Sequence, residues 1–322
     1  QVTSGKYVSV SSSAPISIIQ EILGGAATAD AAVVYPPSVW GTKYTVASYY
    51  NTGSAQNETG LTIFSASDNN VVLVKNKAGT SVASFTLNSG QNYIYDPGVG
   101  VDVSGYTITS SKNVGVMTAV KCANSSGSMC DNTLEFLLPD RLLGTKFLTR
   151  SPANTGRMQI TATKNNTVVK IDGVAATVLA NTGDTYVYTQ AIGSSQIIET
   201  NNPVQFTKIV PYDYDPAITT IQDVTKATLG PTIFTIPISL TTSNQLSIFV
   251  KTADTDKMLY NGSAISGWAS FSYDPSYSYV TLSSMTAGSL VTVSSTTGTV
   301  PFLTDWYGIG YHISDATPLS IG

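Results

Sequence analysis

The sequence predicts an all-β protein: three tandem β-sandwich modules forming a rod-like chain. Three observations carry that expectation: apolar and polar residues alternate with period two, turn residues interrupt them about every ten positions, and one phrase is repeated. Val39-Trp-Gly-Thr-Lys-Tyr44 returns as Leu142-Leu-Gly-Thr-Lys-Phe147, each shortly after a proline, Pro37 and Pro139. Downstream matches keep the same order. Asn69-Asn70-Val71-Val72 answers Asn165-Asn166-Thr167-Val168, Gly90-Gln-Asn-Tyr93 answers Gly183-Asp-Thr-Tyr186, and Lys112-Asn113-Val114 answers Asn202-Pro203-Val204. The offset shrinks from 103 to 96, 93 and 90, as when loops shorten between equivalent strands.

Along the chain, Ser17 to Leu23 has the best helical spacing, but Gly24-Gly25 stops it early and the segment reads as strand. Ser84 to Tyr95 and Thr177 to Tyr188 each read as strand, turn, strand. Val168-Val-Lys-Ile-Asp-Gly173 is a strand running into an Asp-Gly turn, the strongest short hairpin signal. A third, more diverged copy follows. Thr228 to Phe234 stands where the Gly-Thr-Lys phrase stood, Leu246 to Val250 resembles the next strand, and Asp256 to Gly262 gives strand and turn. One strand recurs four times, at Pro15–Ile19, Val114–Thr118, Pro203–Thr207 and Val300–Thr304. No Pro/Gly/Ser linker separates the copies, so modules at 1–120, 121–210 and 211–322 are expected to join through continuous strand. Each is large enough to bury a core.

Only 11% of the 322 residues are charged, and 39 Ser and 43 Thr supply the polarity. That composition fits an extracellular surface better than a cytosolic enzyme. A net charge of −4 without a Lys/Arg run excludes nucleic acid, whose phosphates need a basic stripe. The most apolar region, Ile16 to Tyr35, contains Glu21 and Asp30, so no membrane span is expected. The first residue, Gln1, suggests that a signal peptide has been removed.

Cys122 and Cys130 are the two cysteines, around Asn-Ser-Ser-Gly-Ser turn chemistry. The spacing matches neither a zinc site nor a redox motif. A disulfide across the loop is the favoured reading, contributing about 2–3 kcal/mol, and reduced thiols are the alternative. From Val114 to Phe147 the chain runs strand, Cys, short loop, Cys-Asp, Glu135, Leu-Pro and Gly-Thr-Lys-Phe. This resembles the N-terminal domain of IgG Fc-binding proteins, and Trp306-Tyr-Gly-Ile-Gly-Tyr311 looks like that family's ending. The resemblance implies an extracellular, adhesive or matrix-type glycoprotein region of tandem β-modules without enzymatic activity. The long Cys-rich mucin-type arrays of mammalian members have no counterpart here, and no residue motif carries immunoglobulin binding across.

Other constellations are weaker. Glycosylation sequons begin at Asn57, Asn124, Asn165 and Asn261, all in expected turns. His312, the single histidine, reads as a surface residue rather than a catalytic or metal-binding one. Asp213-Tyr-Asp215 and Asp254-Thr-Asp256 could gather oxygen ligands for calcium, but turn-forming aspartate is the favoured reading. A glycosidase needs two carboxylates across a cleft, and no local signature marks such a pair. Trp40 and Trp268 are expected to pack cores at equivalent module edges.

The resulting expectation is a secreted structural or adhesive protein with no catalytic residues, metal or cofactor. It acts through module surfaces, on other extracellular glycoproteins or by self-association into fibres, with Gln1 to Val10 added to a neighbour's sheet edge or folded on its own module. A carbohydrate-binding, lectin-like protein using exposed Tyr and Trp is the alternative.

Overall fold

The computed structural model describes every residue except 1, 5–7, 15, 24–28, 51–57, 125–130, 152–155, 213–214, 228, 237–241, 284, 311–312 and 319–322. The chain is all-β, as expected. An N-terminal β1 (Val2–Ser4) and a hairpin, β2 (Ile19–Leu23) and β3 (Ala29–Val33), precede the first repeat. That repeat comprises β4 (Gly41–Thr45), β5 (Thr59–Ser65), β6 (Asn70–Lys75), β7 (Ser81–Leu87), β8 (Gln91–Tyr95), β9 (Thr107–Ala123) and β10 (Asp131–Phe136). The second comprises β11 (Gly144–Arg150), β12 (Gly156–Ala162), β13 (Thr167–Ile171), β14 (Val174–Leu179), β15 (Thr185–Gln190), β16 (Ser195–Tyr212) and β17 (Asp215–Thr220). The third comprises β18 (Thr232–Thr235), β19 (Ser243–Lys251), β20 (Met258–Tyr260), β21 (Ser263–Ala264) and β22 (Ala269–Ser270). It continues with β23 (Tyr277–Leu282), β24 (Leu290–Ser295), β25 (Phe302–Gly310) and β26 (Ile313–Pro318).

One antiparallel pairing scheme recurs in all three. The first half of β9 pairs with β4 and β6, and its second half with β5 and β10, while β7 extends β6 and β8 extends β5. In the second repeat β16 takes the place of β9, with β11 and β13 on its first half and β12 and β17 on its second. In the third the long strand is cut: β24 pairs with β18 and β20, and β25 with β19 and β26. The cut falls where Gly298 takes a φ of 66° and Pro301 offers no N–H to a ladder. The sequence-based limits after 120 and 210 both fall inside these long strands.

Alternate strand residues face opposite ways, so a strand crossing from one sheet to the other turns one row of side chains into a single core. Tyr44, Val72 and Ile108 thus meet Ile63 and Val116. Phe147, Val169 and Ile198 meet Ile160 and Phe206. Phe234, Met258 and Val291 meet Ile248 and Phe302. The aromatic of the repeated phrase holds one place throughout: Tyr44 lies opposite Ile108, Phe147 opposite Ile198 and Phe234 opposite Val291. One sequence match moves by a residue. Val72 faces Ser110 and Val169 faces Thr200, so Asn69 corresponds to Asn166; both are left-handed, with φ of 51° and 56°.

The phrase itself has a steric and polar cause. A Cβ on Gly41 would stand 2.5 Å from Pro139 Cβ, and one on Gly144 would collide with the Asp223 side chain. Each glycine therefore lets the returning chain pass close. That returning chain carries an aspartate: the Thr45 N–H donates to Asp140 Oδ1 (2.7 Å), and the Thr145 and Lys146 N–H groups donate to Asp223 Oδ2 (2.5 and 2.8 Å).

The expected rod gives way to a closed arrangement. β3 lies against both β10 and β26, β10 lies against β17, and β17 against β26, so four outer hairpin strands form a ring that brings the first hairpin to the last. Two buried carboxylates lace it. Asp30 on β3 accepts from the Leu134 N–H of β10 (2.7 Å), and Glu135 on β10 accepts from the Thr220 N–H of β17 (2.8 Å). These bonds replace water on backbone groups that would otherwise be desolvated without a partner.

Candidate functional site

β1 pairs antiparallel with β8, placing Val2 opposite Tyr93. The N-terminal strand thus adds to its own repeat, the second of the two placements considered from sequence. In the third repeat the equivalent strand, β23, is likewise covered by β22. In the second, the equivalent strand is β15, and the sheet order ends on it: β14-β13-β16-β12-β15. Among the described residues, β15 is the one strand of the three without an added neighbour.

The composition of β15 suits an edge that accepts another strand. Thr185-Tyr-Val-Tyr-Thr-Gln190 is β-branched and aromatic and lacks the charge or proline that commonly protects edges. Val187 is 41% exposed, while Tyr186 and Tyr188 stack below it with ring centroids 5.6 Å apart. Burial holds the Tyr188 hydroxyl far above the usual phenol range, with the Asp172 and Tyr186 charges adding to it. Its oxygen has no hydrogen-bond partner among the described residues.

The sites expected from sequence scatter. Cys122 is buried in β9, whereas Cys130 and Asn57 lie outside the described residues. Asn124 is 3% exposed, a poor glycan acceptor, but Asn165 and Asn261 stand exposed in turns. His312 and Asp213 also lie outside the described residues, and Asp254 pairs with Lys257 (2.6 Å). Among the described residues no group of three or more His, Cys, Asp or Glu is placed to hold a metal ion. Trp40 and Trp268 do pack against cores, but at different places, before β4 and between β21 and β22. Tyr273 is the only large aromatic exposed among the described residues. Two pockets, of about 20 and 40 Å³, lie at the contact of the second and third repeats and are water-sized. No helix is long and apolar enough to cross a membrane, among the described residues.

Sequence reasoning missed two sets of residues. Lys208 and Asp305 meet in the interior, with the Lys208 Nζ 2.8 Å from Asp305 Oδ2, and Glu135 is buried near enough to feel the Asp305 charge. The open β15 edge was missed because β15 reads like any other strand; the absence of a neighbour has no sequence signal.

A family model described as IgGFc binding protein matches residues 30–308. No curated protein matches. Among solved structures, an anti-sigma factor domain-containing protein from Clostridium clariflavum is 9% identical over 82% of this chain and 98% of its own, with a TM-score of 0.18. The central fibronectin-III array of RIM-binding protein is 10% identical over 84% and 98%, with a TM-score of 0.16. Likenesses this faint support no argument about fold or function.

Proposed function

Since the chain belongs to the IgGFc binding protein family, a family of extracellular binding proteins, we propose that it binds an extended segment of an extracellular protein partner along β15. The observation that carries this reading is the difference between equivalent edges: β8 and β23 are each covered by a strand, and β15 is not. Backbone hydrogen bonds along such an edge supply affinity, and Val187 and its tyrosines supply selectivity. The three repeats, joined through the long strands β9 and β16, hold the edge rigid. Cys122 paired to Cys130 pins the loop entering the second, and glycans sit at Asn165 and Asn261. In the fibre-forming version, β1 of one copy leaves β8 and enters the β15 edge of the next.

The test is amide hydrogen exchange on the full chain titrated with a synthetic peptide of residues 1–10, which contains β1 (Val2–Ser4), the strand that covers the equivalent edge. Protection should appear along β15 and vanish in Val187→Lys, which puts a charge on the edge. Unchanged exchange along β15, or equal protection in the variant, overturns the reading. Protection that grows with protein concentration without peptide assigns the edge to a second copy.

A further inference from the structure

Lys208 is the one lysine among the largest fully buried side chains of this protein. Its ammonium lies on β16 of the second repeat and meets Asp305 on β25 of the third, 97 residues away in sequence. The side chains are 2% and 8% exposed. Lys208 Nζ also donates to the Arg150 carbonyl oxygen (2.7 Å) and faces the Tyr307 ring, 5.6 Å from its centroid. Removing both charges from water is costly, and attraction offsets that cost only if the remaining polar atoms are satisfied. They are not: Asp305 Oδ1 and Glu135 Oε2 have no hydrogen-bond partner among the described residues.

Glu135 is the third member of the cluster. Burial raises its carboxyl to about 8, against the hydrogen bond from the Thr220 N–H, and the nearby charge of Asp305 raises it further. Near neutral pH it therefore carries a proton. A buried amine touching a carboxylate across two sheets, with a carboxylic acid in the same interior, makes a set of groups able to condense.

We propose that Lys208 and Asp305 join in an intramolecular isopeptide bond that covalently ties the second repeat to the third, with Glu135 as its proton shuttle. The ammonium of Lys208 passes a proton to Asp305 Oδ2, and its lone pair attacks Asp305 Cγ while Glu135 donates to the carboxyl oxygen that leaves. The tetrahedral adduct collapses to the amide and one water. Ammonium plus carboxylate becomes amide plus water, so atoms and charge balance, no oxidant or cofactor is needed, and Glu135 recovers its proton. Two features favour the product. Fixed strands hold the reacting groups at an effective concentration of roughly 10⁵ M or more. The amide also removes two buried charges. Its single N–H keeps the Arg150 carbonyl as acceptor.

Intact mass spectrometry of the reduced, denatured full chain tests this without requiring any variant to fold. The mass should fall short of the sequence by one water, and digestion should yield a branched peptide joining the Lys208 and Asp305 segments. The branched peptide distinguishes this loss from any other dehydration. Lys208→Arg and Glu135→Gln, each checked for a β-type circular dichroism spectrum, should show the full mass. A full mass in the parent chain, a deficit that persists in Lys208→Arg, or a branched peptide that persists in Glu135→Gln, each overturns the proposal as written.

Discussion

The two junctions between repeats solve one packing problem by opposite means. Where the first meets the second, two turns touch backbone to backbone: Gly105 and Gly183 take φ of 81° and 84°, and a Cβ on either would overlap the other's carbonyl oxygen. Around them Gln159 Nε2 donates to the Ser48 carbonyl (2.9 Å), the Arg157 guanidinium lies over the Tyr49 ring (5.2 Å), and Lys77 meets Asp184 (3.2 Å) at the surface. Where the second meets the third, side chains dominate. Leu148 and Ile197 pack with Phe249, Phe271 and Leu303, Lys146 pairs with Asp274 (2.8 Å), and Lys208 meets Asp305 in the interior. Lys43 and Lys146 occupy the same place in the repeated phrase, yet Lys43 reaches Asp140 of its own repeat while Lys146 reaches across. A repeated unit thus fixes its inner sheets, and its outer residues remain free to differ at each contact.

The sharpest way to break the contrast is Gly105→Val. A left-handed φ and a backbone collision coincide there, so unfolding should cost about 3 kcal/mol or more in denaturant titration. Gly298→Ala serves as the matched comparison, since its φ is 66° and nothing lies near its Cβ. It should lose only about 1–2 kcal/mol, the backbone strain alone. Equal losses at the two positions would remove the turn contact from the account.

Next in size is a pH effect from Glu135, which lies on β10 of the first repeat and bonds β17 of the second. Glu135 titrates at about 8 in the fold and near 4.5 without it. Between those values the unfolded chain releases a proton that the folded chain keeps, so stability is greatest below about 4.5 and falls as pH rises towards about 8. Melting temperatures across that window should decline in the parent chain, and the part of the slope due to this residue should disappear in Glu135→Gln.

The smallest effect should be shared by both repeats. Asp140→Ala and Asp223→Ala each leave backbone N–H groups of the phrase without an acceptor, for a loss of about 1–3 kcal/mol apiece. Similar values would show that the phrase does the same job twice, and a clear difference would separate the two junctions further.

Much of the sheet structure was legible because period-two alternation and the repeated phrase both report which side of a strand is buried. Tyr44 and Phe147 could be matched from sequence for that reason. The ring was not legible: small residues such as Ala31, Ala32 and Ala217 pack its strands closely, and their lack of side-chain pattern names no partner. Glu135 and Lys208 did leave a trace, as charges among apolar neighbours in a chain otherwise poor in them. A sequence shows such a charge as misplaced, but not what it meets. Asp305 comes from 97 residues beyond Lys208, and only the closed arrangement brings them together.

The aspartate latches also set an order of events during synthesis. Thr45 waits for Asp140, 95 residues downstream, and Thr145 waits for Asp223, 78 residues downstream. A growing chain therefore cannot finish one repeat until the last strand of that repeat and the turn after it have left the ribosome. Maturation runs from the amino end in two delayed closures, and such distant pairings make it slow. A nascent chain halted just short of Asp140 keeps its first sheets unlocked and open to proteases.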